Sequence, residues 1–322
     1  MTEPCDWRAE PKVELHLHLE GAAPPALTRA LAARRGAALD ADPYAWSDFS
    51  GFLAAYDRVS AFYQTAEDER ALAEAVLREC AAHGVIYAEI TLSPDHAGRH
   101  RWAEHLAAVS EGAAAAEAAT GIEARFIVTC VRGMGPEGAE AVARLAVGAC
   151  HPRVVGFGMA GDERLHAPRD FARAFAVARE GGLRLTAHAG EFAGADSVRG
   201  ALDHLGVERV GHGVRAVEDP ELVRRLAAEG VTLEVCPGSN VALGVVPALA
   251  AHPIAALDAA GVAVTVSTDD PPFFATDMTA EYAGLARAFG WGREKLRALS
   301  RAALAAAFCD DATRARLAAR LA

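Results

Sequence analysis

Lysine is almost missing from this chain. Lys12 and Lys295 are the only two among 322 residues, so nearly all of the 32 basic side chains are arginines. Against 43 acidic residues they leave a net charge of −11, which argues against a nucleic-acid backbone or an anionic membrane as partner. Cysteine is sparse as well. Cys5, Cys80, Cys130, Cys150, Cys236 and Cys309 are too scattered for a disulfide scaffold and form no C-x-x-C pair, which disfavours a thiolate zinc site or a thioredoxin-type centre. They read mostly as small core residues. No stretch approaches the ~18 uninterrupted apolar residues of a membrane span. The opening MTEPCDWRAEPK carries acids where a secretory signal places basic residues and an apolar run, so a cytoplasmic location is expected. Low-complexity tails, Ser/Gly linkers and long charge blocks are missing too.

What is present is a hydrophobic fraction of 52 %, ample for a full core. The length suits either two ordinary domains or one large α/β barrel. A single rhythm recurs along the chain: a short β-branched run ending in polar residues, then an alanine-rich helical stretch. The runs cover 13–19, 85–92, 124–131, 154–159, 183–187, 207–211, 232–235 and 262–268. Several are apolar at nearly every position, as suits parallel strands covered on both faces. Helices are expected at 27–35, 67–83, 102–120, 137–150, 170–180, 197–205, 220–229 and 254–260, most ending at or near a glycine. Eight such units point to a single-domain (β/α)8 TIM barrel over residues 1–322, with a doubly wound sheet as the competitor.

In a barrel of this kind the active site lies at the C-terminal mouth, so polar residues that close strands are the informative ones. The first run closes with His16-Leu17-His18-Leu19-Glu20-Gly21, and the strand period of two sends His16 and His18 to one face. The fifth leads into His188-Ala189-Gly190-Glu191, the sixth into Gly211-His212-Gly213, and the eighth into Ser267-Thr268-Asp269-Asp270-Pro271. Singly each has an ordinary explanation: a satisfied histidine pair, a helix-start acid, a loop histidine, an Asp-Asp-Pro cap. Jointly, separate strand ends bring metal-ligand and acid–base residues to one rim. His16, His18, His188 and Asp269 form a nitrogen and oxygen set suited to one Zn²⁺, which can activate water near neutral pH. Glu191, three residues past His188, is placed for general acid–base work, and His212 and Asp270 can orient that water or accept its protons.

The segments PKVELHLHLEGA, MAGDE, HAGE, RVGHG, CPGSN and STDDP, in that order from about Pro11 to Asp277, resemble the adenosine deaminase family of the amidohydrolase superfamily. The resemblance implies a (β/α)8 barrel, one catalytic Zn²⁺ per chain and hydrolytic removal of the 6-amino group of an adenine ring. By motif match it makes His16, His18, His188 and Asp269 the metal ligands, Glu191 the proton shuttle to purine N1, and His212 the residue that poises the nucleophile. His18, Glu20, Gly161 and Asp270 then face the substrate, with the Gly161 N–H on N3 and Asp270 on N7. Because N7 accepts, Asp270 must be protonated to donate to it, which requires a raised pKa.

Two rival classes are weighed. Two-metal amidohydrolases also begin with His-x-His but bridge their metals with a mid-barrel carboxylated lysine, and neither Lys12 nor Lys295 can occupy that place. The H-x-E and P-C-x-x-C deaminases fail because Cys236 has no partnering pair, so Cys236 reads as packing. A catalytically inactive zinc-binding barrel is the reading of another class, and it predicts loss of Glu191, His212 and Asp270, all of which are present. On substrate, the nucleoside enzymes usually carry Asp where this chain has Glu20. Glutamate there, and a pair like Ser239-Asn240, also occur in relatives that act on free adenine. Residues 47–63, with Phe49, Phe52, Leu53 and Tyr56 at helical spacing, resemble the apolar lid of the nucleoside enzymes, and C-terminal helices are expected over about 277–322. The expectation is a small-molecule purine substrate, adenosine or 2′-deoxyadenosine, deaminated to inosine or deoxyinosine and ammonia. Adenine or a modified aminopurine is the alternative.

Overall fold

The apolar runs become eight parallel strands: β1 (Lys12–His18), β2 (Val85–Leu92), β3 (Glu123–Val131), β4 (Val154–Ala160), β5 (Arg184–Ala189), β6 (Arg209–His212), β7 (Thr232–Val235) and β8 (Ala263–Val266). This is seen in a computed structural model that describes residues 6–322 apart from the Arg99 side chain; Cys5 lies outside the described residues. Each strand pairs in parallel with the next, in sequence order. Just past β8 the chain turns back to β1: the His18 N–H donates to the Asp269 carbonyl and the Asp269 N–H to the His16 carbonyl, both at 3.1 Å. A doubly wound sheet would leave β1 inside an open sheet; here its ends meet, and the barrel is nearly closed.

The helices lie outside the strands, close to where the sequence places them. Pro25–Arg35 ends at Gly36, whose φ of 61° is the left-handed stop that glycine adopts freely. Ala66–Ala82 opens with a capping box in which Thr65 and Asp68 satisfy each other's backbone N–H groups. Two helices differ from expectation. The stretch expected from residue 170 starts as a 3-10 turn, Pro168–Phe171, before Ala172–Glu180, and the stretch over 197–205 divides into Ala195–Gly200 and a π turn, Ala201–Leu205. Pro168 at the start lacks an N–H, and an i→i+5 turn leaves no mark on a 3.6-residue pattern.

Two further sets of helices complete the fold. Phe49–Ser60, capped by Asp48 accepting from the Gly51 N–H at 2.8 Å, sends Phe49, Phe52, Leu53 and Tyr56 toward the barrel mouth. Met278–Phe289, Arg293–Ala306 and Asp311–Ala318 close the chain. Leu304, Leu317 and Leu321 bury against Val13, Leu15 and Tyr87. The lysines sit away from the mouth. Lys12 donates to the Glu10 and His83 carbonyls at 2.8 Å, with burial pulling its pKa down to about 8, and Lys295 pairs with Asp258 at 2.5 Å. Of the described cysteines, Cys130, Cys236 and Cys309 are buried, Cys80 is half-buried and Cys150 is exposed. Among the described residues no helix is long and apolar enough to cross a membrane.

Candidate active site

The strand ends converge as their spacing demands. His16 and His18 leave β1 on the same face, His188 stands on β5, and Asp269 follows β8; one ligand atom from each lies within 4.8 Å of the others. His18 Nε2 is 3.2 Å from Asp269 Oδ1 and 3.3 Å from His188 Nε2, and His16 Nε2 is 3.3 Å from Asp269 Oδ1. Gly211, beside His188 in the β5–β6 register, makes room: a Cβ there would fall 2.9 Å from His16 Cε1.

The chemistry of this set fits a divalent cation. His16 Nδ1 lies 2.9 Å from Glu234 Oε2, so the neutral ring carries its proton on that side and turns the Nε2 lone pair into the group. That Nε2 is buried without a hydrogen-bond partner. Glu234 is fixed in turn by the Thr186 hydroxyl at 2.9 Å and by Arg209 Nε at 2.6 Å, and Arg209 also bonds Glu89 at 2.6 Å. Burial opposes charge on His16, yet Asp269 and Glu234 outweigh it and push its pKa up to about 10. The site thus calls for positive charge. The other two ligand imidazoles meet that demand unequally: burial opposes charge on His18 but Asp270 and Asp269 still raise its pKa, whereas burial and the neighbouring rings hold His188 far below the usual histidine range. A cation shared by three neutral imidazoles and the Asp269 carboxylate satisfies both facts. A second group, His212, Cys236 and Asp269, also lies within 4.8 Å. Burial pushes the Cys236 thiol well up, however, and it lies 3.7 Å from the Glu234 carbonyl as a donor, in keeping with a packing role.

Glu191, His212 and Asp270 gather around the same point. His212 Nε2 is 3.6 Å from Glu191 Oε2 and 4.0 Å from Asp269 Oδ2. His212 and Asp269 have φ values of 58° and 67°, a left-handed conformation uncommon outside glycine, and both stand where a strand ends and its side chain turns into the mouth. Burial first, then the charges of Asp269 and Glu163, raise Glu191 well above the usual carboxylate range. Burial and Asp269 likewise push Asp270 up to about 8, and its Oδ1 is buried without a partner. Two carboxyl groups therefore face the pocket with their acid forms favoured by burial, and the acid form is the one able to donate. Burial lowers His212 to about 3, so it is a neutral ring.

Apart from Glu20, Asp57, His96 and Asp162, the remaining walls are neutral or apolar. Thr91, Ser93, Thr129, Val131 and Gly161 come from the ends of β2, β3 and β4, while Phe49, Phe52, Leu53 and Tyr56 cover the opening. Glu20 is buried and accepts from the Tyr56 hydroxyl at 3.3 Å.

Several residues that shape the site are missing from the motif-based selection. Glu163 accepts main-chain N–H bonds from Gly190, Glu191, Phe192 and Ala193, the last three at 2.8–3.0 Å, and so fixes the turn that presents Glu191. Ser239 Oγ donates to Asp269 Oδ2 at 2.7 Å. Glu281 accepts from the Gly238 N–H at 3.1 Å and from Thr276, clamping the turn that carries Ser239. Glu163 and Ser239 lie in the MAGDE and CPGSN segments, and Glu234 left a signal of its own: a lone carboxylate between Leu233 and Val235 in an apolar strand.

A nearly closed eight-stranded barrel with a buried His/His/His/Asp group at its C-terminal mouth is the architecture of a metal-dependent amidohydrolase. The chain belongs to the adenosine deaminase family, whose model, described as adenosine deaminase, matches residues 11–322. It is 53 % identical over 316 residues to an adenine deaminase of Chelativorans sp. (strain BNC1), covering 96 % of this chain and 97 % of that one. It is 50 % identical to an adenine deaminase of Rhizobium johnstonii, covering 96 % and 98 %. Among solved structures, an adenine deaminase from Arthrobacter aurescens superposes with a TM-score of 0.90 at 34 % identity, covering 97 % and 98 %. An amidohydrolase from Burkholderia ambifaria with bound Zn also superposes with a TM-score of 0.90, at 31 % identity, covering 98 % and 90 %.

Proposed function

We propose that this protein hydrolytically deaminates free adenine to hypoxanthine and ammonia, with one zinc ion held by His16, His18, His188 and Asp269. The observation that carries the chemistry is the buried four-ligand group beside two buried carboxyl groups, Glu191 and Asp270, whose pKa values burial and neighbouring carboxylates raise. Zinc, when bound, supplies the Lewis acidity that makes water a nucleophile near pH 7. The chain's own residues do the rest. Asp270 donates to N7 and the Gly161 N–H to N3, which orients the ring. Glu191 gives its proton to N1 as the water oxygen adds to C6, so the ring never carries the full negative charge. C6 then bears both OH and NH2. Glu191 regains a proton from the adding water and passes it to the amino nitrogen, which breaks the C6–N bond and releases ammonia. The C6 hydroxyl proton returns to Glu191 and leaves the 6-oxo purine. Burial serves this exchange because it raises the Glu191 pKa and so favours the acid form that donates to N1.

The choice of the free base over the nucleoside departs from the sequence expectation of adenosine. It is supported by the full-length relatives near 50 % identity, which are adenine deaminases. It is also supported by the position of Glu20, buried under the Tyr56 hydroxyl. Free adenine carries an N9–H that a carboxylate can accept, whereas a nucleoside has a glycosidic bond there and needs space for its sugar. The residue-47–63 segment then serves as a cover over a small substrate. Zinc-loaded enzyme is assayed for ammonia release from adenine, adenosine, 2′-deoxyadenosine and N6-modified aminopurines. The expected result is adenine turned over at least about 100-fold more efficiently than either nucleoside. Adenosine equal to or better than adenine would overturn the base reading and leave the deamination chemistry intact.

A further inference from the structure

Behind His212 runs a chain of buried hydrogen bonds that leads away from the metal ligands to the main chain. The Ile254 N–H donates to His252 Nδ1 at 3.1 Å. His252 Nε2 lies 3.1 Å from Asn240 Oδ1, and Asn240 Nδ2 lies 3.4 Å from His212 Nδ1. All three side chains are buried, at 3 %, 0 % and 1 % exposure, so water does not compete for these positions. Burial lowers the His252 pKa to about 4, which keeps that ring neutral.

A backbone N–H can only donate, and this fixes the direction of every bond that follows. His252 Nδ1 must accept from Ile254, so the single proton of its neutral ring is on Nε2. That Nε2–H needs an acceptor, which orients the Asn240 amide with its oxygen toward His252 and its NH2 toward His212. Reversing the amide would set its NH2 against the His252 Nε2–H, two donors face to face in a buried position. The Asn240 NH2 donates, so His212 Nδ1 must be bare. The ring is then neutral with its proton on Nε2, the nitrogen 3.6 Å from Glu191 Oε2.

We infer that His252 and Asn240 are positioning residues that lock His212 as the Nε2–H tautomer, so that His212 meets the nucleophilic water as a hydrogen-bond donor and not as its general base. The functional half of this statement rests on the deaminase reading, whereas the tautomer does not. A donor at Nε2 directs an oxygen lone pair toward the ring carbon under attack, and it leaves the proton transfers to Glu191. Any proton that His212 accepted would have to go to Nδ1, against the Asn240 NH2.

The test reads the tautomer directly. In zinc-loaded protein labelled with ¹⁵N-histidine, long-range ¹H–¹⁵N correlation distinguishes a protonated from a bare ring nitrogen, and His212→Asn assigns the signals. The expected wild-type spectrum shows Nε2 protonated and Nδ1 bare for both His212 and His252. Protonated Nδ1 on His212 in the wild type overturns the inference without any variant. Asn240→Asp, of the same shape, offers only acceptors: His212 should move its proton to Nδ1, and kcat should fall about 10²–10⁴-fold with one zinc retained and KM changed less than about tenfold. His252→Gln keeps an N–H donor for Asn240 and should keep the wild-type tautomer with kcat within about tenfold. An Asn240→Asp enzyme with the tautomer reversed but kcat unchanged would overturn the donor role. Absence of activity on any aminopurine, with the wild-type tautomer as expected, would overturn only the deaminase reading.

Discussion

The two halves of the barrel mouth are built on different plans. The ends of β5, β6 and β8, with the His pair of β1, carry imidazoles and carboxyl groups, of which His16, His212 and Asp269 are each held by a buried partner. The ends of β2, β3 and β4 offer Thr91, Ser93, Thr129, Val131 and Gly161, which bring hydroxyls, a backbone N–H and bare surface. The first half is rigid in charge and the second in shape. A metal site tolerates only a few residue types, each needing an outer partner for its orientation, whereas a binding wall must exclude volume and place one or two donors. The chemistry should therefore fail when the first half is altered, and substrate affinity when the second is.

The largest expected effect comes from Glu191→Gln, which cannot release a proton. Turnover should fall about 10²–10⁴-fold or more, with zinc content and ground-state adenine binding retained. Titration by elemental analysis alongside steady-state assay checks both, and near-normal turnover would remove Glu191 from the mechanism. Ser239→Ala comes next. It deletes the donor that holds Asp269 Oδ2, so chelator competition should show zinc bound about 10–100-fold more weakly, while the fully loaded enzyme keeps most of its kcat. Gly161→Ala tests the other half. Gly161 has φ of 95°, and an added Cβ would stand 3.2 Å from Val131 Cγ1, so the backbone must shift the N–H that faces the ring. KM for adenine should rise roughly tenfold with zinc affinity unchanged. A loss of zinc like that of Ser239→Ala would show that the halves are not separable.

The same contrast explains what could be read from the sequence. Each strand is legible because an apolar β-branched run is a local pattern, and the observed strands match the expected runs to within three residues at either end. His16, His18, His188, Glu191, His212, Asp269 and Asp270 are legible because imidazoles and acids at strand ends have few other uses. Glu163 is not, since its partners are four consecutive main-chain N–H groups about 28 residues away, and backbone donors leave no residue pattern. His252 is silent for the same reason, and Asn240 is visible only as part of the Ser239-Asn240 pair: their joint meaning depends on the Ile254 N–H and on a ring from another strand. Glu20 is visible as a residue, but its sense depends on Tyr56, which only the Phe49–Ser60 helix brings near. Substrate choice was therefore the least legible feature, because it turns on what surrounds Glu20 in the folded chain.

The smallest effect should come from Glu281, which stands behind the charged half and touches neither metal ligand nor pocket. Burial raises its pKa from 4.5 to about 7, against the opposing hydrogen bonds from Thr276 and Gly238. Between about pH 4.5 and 7 the folded protein thus holds a proton here that the unfolded chain has released. The unfolded state then binds fewer protons than the folded one, so stability falls as pH rises through that window and levels off above it. Glu14, raised to about 7 mainly by burial, contributes in the same direction. For one such group the loss is at most about 3.5 kcal/mol, because each tenfold difference in proton affinity between the two states is worth roughly 1.4 kcal/mol. Glu281→Gln carries no charge at any pH, and its oxygen can still accept from Gly238 or Thr276. Chemical denaturation of both proteins at pH 5 and pH 7.5 should show the variant losing about 1–3 kcal/mol less than wild type across the interval. An equal loss in both would mean that Glu281 titrates near its ordinary value and that the Ser239-bearing turn is held by a carboxylate already charged at pH 5.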